Sequence, residues 1–436
     1  MSSFLLKDVR IFDGEIEIAN GSVLVKDGIV TKVSSSSLDP PSSSIQIISK
    51  PGHTVLPGLI DCHIHADGGN PVALPQSLSF GVTTVCDMHN EPANVVKLRK
   101  QAEDKSSAAD FKTCSVAATI DNGWPVPVVT AHDKSEKVGL LVTQHISGER
   151  AGVDVRLKTA REIATWPKLE TARDAENYVE ERVAEKVDYI KLMHESGSPM
   201  GFEFNKPSQS LQAAVVKAAH KHGLLAVAHS LALRDTIEVL GAGVDGMTHT
   251  FCDAAPTEEL IQAYKKNNAH CNPTLAAIGS LTTEGQKTQE AFAHDERAAR
   301  LLGDVEKERM CQCMAMAKEK GKVEYAYESV KKLKAAGIDI LCGSDSAGPA
   351  VGTAWGLSMH HELSLFVNKC GFTPAEALRA ATALPAKRFG FTDRGRIAEG
   401  LKADLLLIEG NPLDDISKTL DLRAVWRDGV LCSKYV

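Results

Sequence analysis

Long apolar runs are missing from this sequence. Each one is cut by a charge or a glycine well short of the ~20 residues that a membrane-spanning helix needs. The N-terminus lacks the hydrophobic stretch of a signal peptide, because Phe4 to Leu6 runs straight into Lys7 and Asp8. Excess positive charge is missing too. The 49 Lys and Arg are outnumbered by 56 Asp and Glu, and a net charge of −7 gives no electrostatic reason to bind nucleic acid or an anionic membrane. The 10 cysteines lack the tight spacing of a disulfide framework, and the close pair Cys311 and Cys313 has no second Cys/His pair at zinc-finger spacing. They read as reduced thiols, and a cytoplasmic protein is expected. What is present is an ordinary globular composition, 43% hydrophobic and 24% charged, which excludes disorder, collagen and coiled coil. At 436 residues the chain can bury a large core.

Both ends of the chain read as short strands. Residues 4–12, 21–25, 29–30 and 45–48 are β-rich runs punctuated by Asp13-Gly14 and Asp27-Gly28, with a polar stretch over 34–44. Residues 403–408, 423–426 and 430–431 match them in character, with Asp428-Gly429 as the turn. Isolated hairpins are marginal in water, so the two ends are expected to pair into one small β-sandwich. That divides the chain into a composite domain, 1–55 with 396–436, and a central domain, 56–395.

The central region alternates short buried strands with helices. Eight strand candidates cover 54–60, 82–85, 114–118, 187–192, 224–228, 244–248, 269–272 and 338–342. Two of the helices between them are well marked. One is opened by Ser208 and closed at Gly223; the other begins at a Thr373-Pro-Ala-Glu376 capping box and should run to about Arg388. Eight strand–helix units predict an α/β fold of the (β/α)8 TIM-barrel type, with insertions at 121–186 and 276–330. A doubly wound open sheet is the competitor, but no Gly-x-Gly-x-x-Gly turn follows the first strand.

The sharpest motif is PGLIDCHIH over residues 57–65. Strand alternation puts His63 and His65 on one face, where two imidazoles can grip one divalent metal. Alone the pair is weak, since hydrogen-bonded histidines at a strand end are common. Its company strengthens it. Lys191, His229, His249 and Asp345 also close strand candidates, at the face where barrel enzymes keep their active sites.

This pattern resembles the metal-dependent amidohydrolase superfamily, in its imidazolonepropionase and prolidase-like (ochratoxinase-like) branch. The resemblance is carried by 57–65, by Gly343-Ser-Asp345, and by the tail from His361 through Gly371, Thr382, Pro385, Gly395 and Gly400 to Asp404. It implies that His63, His65 and Asp345 hold one metal, that His229 and His249 hold a second, and that Lys191, carboxylated by carbon dioxide, bridges them. The cofactors expected are two divalent ions, Zn²⁺ suiting the nitrogen and oxygen donors best, with a carbamate on Lys191. Desolvation at a buried strand end favours the neutral amine that carbamate formation needs. The activity implied is hydrolysis of a C–N amide bond in a cyclic amide, an N-acyl amino acid or a dipeptide, by metal-activated hydroxide. Asp345 and Lys191 are the catalytic residues, and Asp345 shuttles the proton. A metal-dependent decarboxylase or deaminase is the alternative, since both occur on the same cage, and a non-catalytic scaffold is the third class.

His194 and Glu195 depart from the small residues usual after the bridging lysine and are candidates to line the pocket or to hydrogen-bond a metal ligand. So are His132 and His145 in the first insertion, where Arg150 or Arg156 could receive a substrate carboxylate. His360 and His361 read as supporting residues, and Trp124 and Trp166 as apolar walls. The partner expected is a small-molecule substrate, with no nucleic acid and no membrane, and relatives suggest a homo-oligomer.

Overall fold

The computed structural model describes residues 3–129, 166–348 and 350–436. The chain begins with β1 (Phe4–Phe12), β2 (Glu17–Lys26), β3 (Ile29–Ser34), β4 (Gln46–Ser49) and β5 (His53–Pro57). There follow β6 (Leu59–His65), β7 (Val82–Asp87), β8 (Asp110–Thr113), β9 (Ile190–Met193), β10 (Ala226–His229), β11 (Gly246–Met247), β12 (His270–Cys271) and β13 (Ser346–Ala347). The last strands are β14 (Leu405–Glu409), β15 (Leu422–Arg427) and β16 (Val430–Leu431).

The ends do pair, as one mixed sheet in the order β16-β15-β14-β5-β1-β2-β3, with β4 beside β1, rather than as two stacked sheets. Alternation explains how one sheet serves two cores. Val55, Leu405, Leu407 and Trp426 pack with Phe4, Leu6 and Val23 on one face. Their neighbours Leu56, Leu406, Ile408 and Val425 belong to the larger core that packs around the central strands.

The central strands form two parallel sheets, β13-β6-β7-β8 and β12-β11-β10-β9. Ala118, just past β8, bridges Leu192 in parallel and joins the sheets on one side. On the other side Leu341 N donates to Cys271 O (2.8 Å) and Cys62 N to Cys342 O (3.2 Å), so segment 338–342 sits between β12 and β6. The lateral hydrogen bonds therefore return to their starting strand and enclose a ring of eight parallel segments.

Three boundaries differ from the sequence reading. The expected strand 54–60 is two strands, because Gly58 passes against Thr83 so closely that a Cβ would lie 2.1 Å from its Oγ1. The chain leaves the terminal sheet there and enters the ring. The third ring strand is Asp110–Thr113, upstream of 114–118, because Asp110 and Lys112 find ionic partners at the base of the ring. The helix expected over 373–388 is two, Pro374–Ala380 and Ala383–Phe389. Pro385 has no N–H for the Ala381 carbonyl and would clash with it in a continuous helix. The freed carbonyls are used by the ring: Ala381 O accepts from Ile60 N and Ala380 O from Cys342 N, both at 2.8 Å.

Helix Gln209–Lys221 begins as read, Ser208 Oγ accepting from Leu211 N at 3.2 Å. The insertion after β12 is helical, with Leu275–Thr282, Gln286–Ala293, Glu296–Ala299, Asp304–Met310 and Val323–Ala335. All ten cysteines are unpaired. Among the described residues no helix is long and apolar enough to cross a membrane.

Candidate metal centre

Parallel strands aim their C-terminal ends at one rim, and β6 delivers His63 and His65 there from the same face. His63 Nε2 lies 3.2 Å from His65 Nε2 and 3.2 Å from Asp345 Oδ1, and His65 Nε2 lies 3.4 Å from that oxygen. Asp345 is placed by backbone as well as by sequence: its N–H donates to His63 O at 2.8 Å and its φ is +50°. A non-glycine residue in this left-handed region costs on the order of 1–3 kcal/mol, which the surrounding contacts must offset. Asp61, two residues before His63, accepts from Ser344 N (2.9 Å) and Ser344 Oγ (2.6 Å) and so fixes the turn into Asp345. Burial pushes the Asp61 carboxyl up to about 7.

His249 lies two residues past the end of β11. Its Nδ1 lies 2.7 Å from Thr274 Oγ1 and 3.9 Å from Asp345 Oδ2, and its ring centroid is 4.7 Å from that of His63. Thr274 also has φ +50°. It precedes helix Leu275–Thr282, whose first two N–H groups, Leu275 and Ala276, donate to the buried Glu362 at 2.8 Å each. His229, at the end of β10, lies edge-on to His249 at 4.6 Å, and the Trp124 ring stacks on it at 5.1 Å and 18°.

Lys191 is 1% exposed on β9, and its ammonium donates to Thr248 Oγ1. Burial holds its pKa down to about 8, although Cys114 and Asp345 act in the opposite direction. Burial also keeps His63, His229 and His249 well below the ordinary histidine value, with Lys191 adding to the effect at each. Burial opposes protonation of His65 as well, but the hydrogen bond and charge of Asp345 outweigh it and raise its pKa. All six residues singled out in the sequence thus meet at one rim.

Nitrogen donors 2.0–2.1 Å from a tetrahedral zinc stand about 3.3 Å apart. The His63–His65–Asp345 triangle, with edges of 3.2, 3.2 and 3.4 Å, has that size. The donor set therefore fits a divalent ion.

The two residues that follow β9 go opposite ways, because alternation continues past the strand end. Glu195 points inward. It accepts from Gly197 N (2.7 Å) and Leu231 N (2.8 Å), and its Oε2 lies 3.6 Å from His229 Nε2. His194 points outward, to Gln212 (3.4 Å) and Glu238 (3.8 Å), and does not line the centre. With Asp235 and Glu238 it forms a second group that could hold a cation. Lys206 Nζ already stands between those carboxylates, at 2.7 and 2.6 Å.

His360 is held between Thr419 and Phe80 O, and His361 by Thr288, both away from the rim. Trp166 sits edge-on to His89 at 4.5 Å and donates to Glu91 at 3.2 Å. His132, His145, Arg150 and Arg156 lie outside the described residues. Sequence reasoning missed Asp61, Thr248, Thr274 and Glu362. The only signal was that Asp61 shares strand spacing with His63 and His65.

Residues 54–432 match the family model described as "Amidohydrolase family". Among characterised proteins, the imidazolonepropionase of Deinococcus deserti is 29% identical over 171 residues, 38% of this chain and 39% of that protein. The ochratoxinase of Aspergillus niger is 37% identical over 111 residues, 24% of this chain and 21% of that protein. The matched stretches thus span well under two thirds of either relative. In fold, a Xaa-Pro dipeptidase solved with methionine bound in its active site superposes with a TM-score of 0.74 at 19% identity, covering 99% of both chains.

Proposed function

This chain belongs to the amidohydrolase family, and on that premise we propose that it is a binuclear-metal hydrolase of a C–N amide bond, built on a (β/α)8 barrel. The observation that carries the reading is the triangle of His63 Nε2, His65 Nε2 and Asp345 Oδ1, with edges of 3.2–3.4 Å. His63, His65 and Asp345 would hold one ion, and His229 and His249 a second, with zinc the best match to the donors. Divalent ions there supply a lowered pKa for water and polarise a carbonyl oxygen.

The residues of the chain do the rest. Asp345 takes the proton of the attacking water on a carboxylate oxygen and passes it to the departing nitrogen. Lys191, with a pKa near 8, is about a tenth neutral at pH 7. Its Nζ can form a bond to the carbon of carbon dioxide and release a proton, and the resulting carbamate would supply anionic oxygen donors for the ions. Trp124 stacks on His229, and the Glu195 carboxylate lies 3.6 Å from its Nε2.

A dipeptide fits the name of the Xaa-Pro dipeptidase neighbour, a cyclic amide fits the imidazolonepropionase likeness, and an N-acyl amino acid offers the same amide bond. The terminal sheet, 1–55 with 396–436, reads as a supporting domain of a cytoplasmic homo-oligomer. The deciding experiment measures metal by mass spectrometry and turnover on N-acyl amino acids, dipeptides and hydantoins, before and after exhaustive chelation. About two ions per chain and loss of turnover on chelation are expected; an apoprotein of undiminished activity would sink the reading. Release of ammonia or carbon dioxide would instead favour a deaminase or decarboxylase. Lys191→Ala should lower the metal content below two per chain, with recovery when a short carboxylic acid is added, and unchanged occupancy refutes the carbamate.

A further inference from the structure

We propose that Glu195 is a positioning residue for His229: its carboxylate keeps the imidazole proton on Nε2 and thereby turns Nδ1 toward the shared centre. The inference rests on the reading of His229 as a metal ligand, and it starts from register. β9 and β10 pair Met193 with His229, so Glu195, two residues further along the same inward face, stands beside the end of that imidazole. Its Oε2 is 3.6 Å from His229 Nε2, a gap that a small side-chain shift closes to hydrogen-bond length. No other partner of this nitrogen occurs among the described residues.

The carboxylate is itself fixed. Gly197 N holds Oε1 and Leu231 N holds Oε2, from two different loops, and a carboxylate has lone pairs to spare for a further donor. The imidazole is fixed as well. Trp124 covers one face at 5.1 Å, and His249 meets it edge-on at 4.6 Å, which leaves the tautomer as the open variable.

Gly197 belongs to the same device. With φ +83° and a Cβ position 2.7 Å from Phe204 Cδ2, it admits no side chain without moving Phe204, whose ring packs on Trp124 at 5.6 Å. The loop that orients Glu195 therefore also seats the aromatic ring that stacks on His229.

His249 supports the assignment by contrast. Its Nδ1 has a hydroxyl neighbour rather than a carboxylate, Thr274 Oγ1 at 2.7 Å, which can donate or accept. A carboxylate only accepts, so of the two imidazoles His229 is the one whose tautomer its oxygen neighbour would select. Such outer partners fix the ring orientation of metal-bound histidines, and their loss costs about 10–100-fold in metal affinity.

The test reads the tautomer directly. Long-range nitrogen–proton spectra of histidine-labelled, zinc-loaded protein, with His229 assigned through His229→Gln, should show the proton on Nε2. In Glu195→Gln, where an amide NH₂ can face the ring, chelator competition should show one ion at least tenfold looser and the other within twofold. A proton on Nδ1 in the unsubstituted protein overturns the proposal without reliance on any variant. Equal loosening of both ions, or of neither, also overturns it. A protein that takes up no zinc refutes the metal reading instead, and the same spectrum of that protein still reports which nitrogen of His229 carries the proton.

Discussion

The two ends of the ring both bury polar groups and treat them differently. At the base, where the strands begin, cations meet anions. Arg394 donates to Thr84 Oγ1 (2.8 Å), to Asp393 and to Asp110; Arg427 reaches Asp110 (3.2 Å) and the carbonyls of Ala102 and Ala108; Arg388 holds Asp339 (2.7 Å). At the rim the imidazoles face one another, His63 Nδ1 and His229 Nε2 lack partners among the described residues, and a lysine has only a threonine hydroxyl. Buried polar groups are ordinarily paired. The ion pairs of the base follow that rule and serve stability, although His270 beside Arg388 has no partner on either ring nitrogen among the described residues. The rim departs from it, with buried imidazole nitrogens left unpaired among the described residues.

The comparison can be broken from either end. The largest effect is expected at the rim: Asp345→Asn should lower kcat/KM by about 10²–10⁴-fold, while calorimetry finds the unfolding temperature little changed. The converse is Arg394→Met at the base. It should cost about 3 kcal/mol, the low end for a broken buried pair because Arg427 still faces Asp110. Denaturant unfolding measures the loss, and metal per folded chain should not change.

Protons probe the supports between the two ends. Burial lowers His360 to about 4, so between pH 6.5 and 4 the unfolded chain binds a proton that the folded chain does not. Stability should therefore fall as pH drops through that window, by about 3 kcal/mol for this group when complete, and His360→Gln should flatten the slope of unfolding temperature against pH. The smallest effect is expected for Thr274→Val, which removes the Nδ1 partner of His249: about tenfold weaker metal binding by chelator competition, with turnover at saturating zinc largely kept.

Much of the rim was legible because its residues announce themselves locally. His63 and His65 follow strand spacing, and Asp345 sits in a Gly-Ser-Asp turn after the last buried segment. The pairing of the two ends was legible from matching turn chemistry. What escaped was relational. Asp61 acts on Ser344, 283 residues away, and Glu362 caps a helix 86 residues upstream, contacts that leave no local pattern. His194 and Glu195 look alike as pocket candidates until alternation past β9 sends one outward and one inward. The break of helix 373–388 was within reach, since Pro385 stood in the sequence; the capping box at Thr373 and Glu376 marks where a helix starts and says nothing of where it stops.

The placement of β5 has a consequence during biosynthesis. It lies between β1 and β14, and its whole length, His53 to Pro57, pairs with Glu409 to Leu405. A growing polypeptide must therefore carry the first five strands with one hydrogen-bonding edge open until the segment some 350 residues later leaves the ribosome. Such an edge is a template for mispairing with neighbours. Translation speed and chaperone supply would then set the yield of soluble protein more strongly than the stability of the finished sheet.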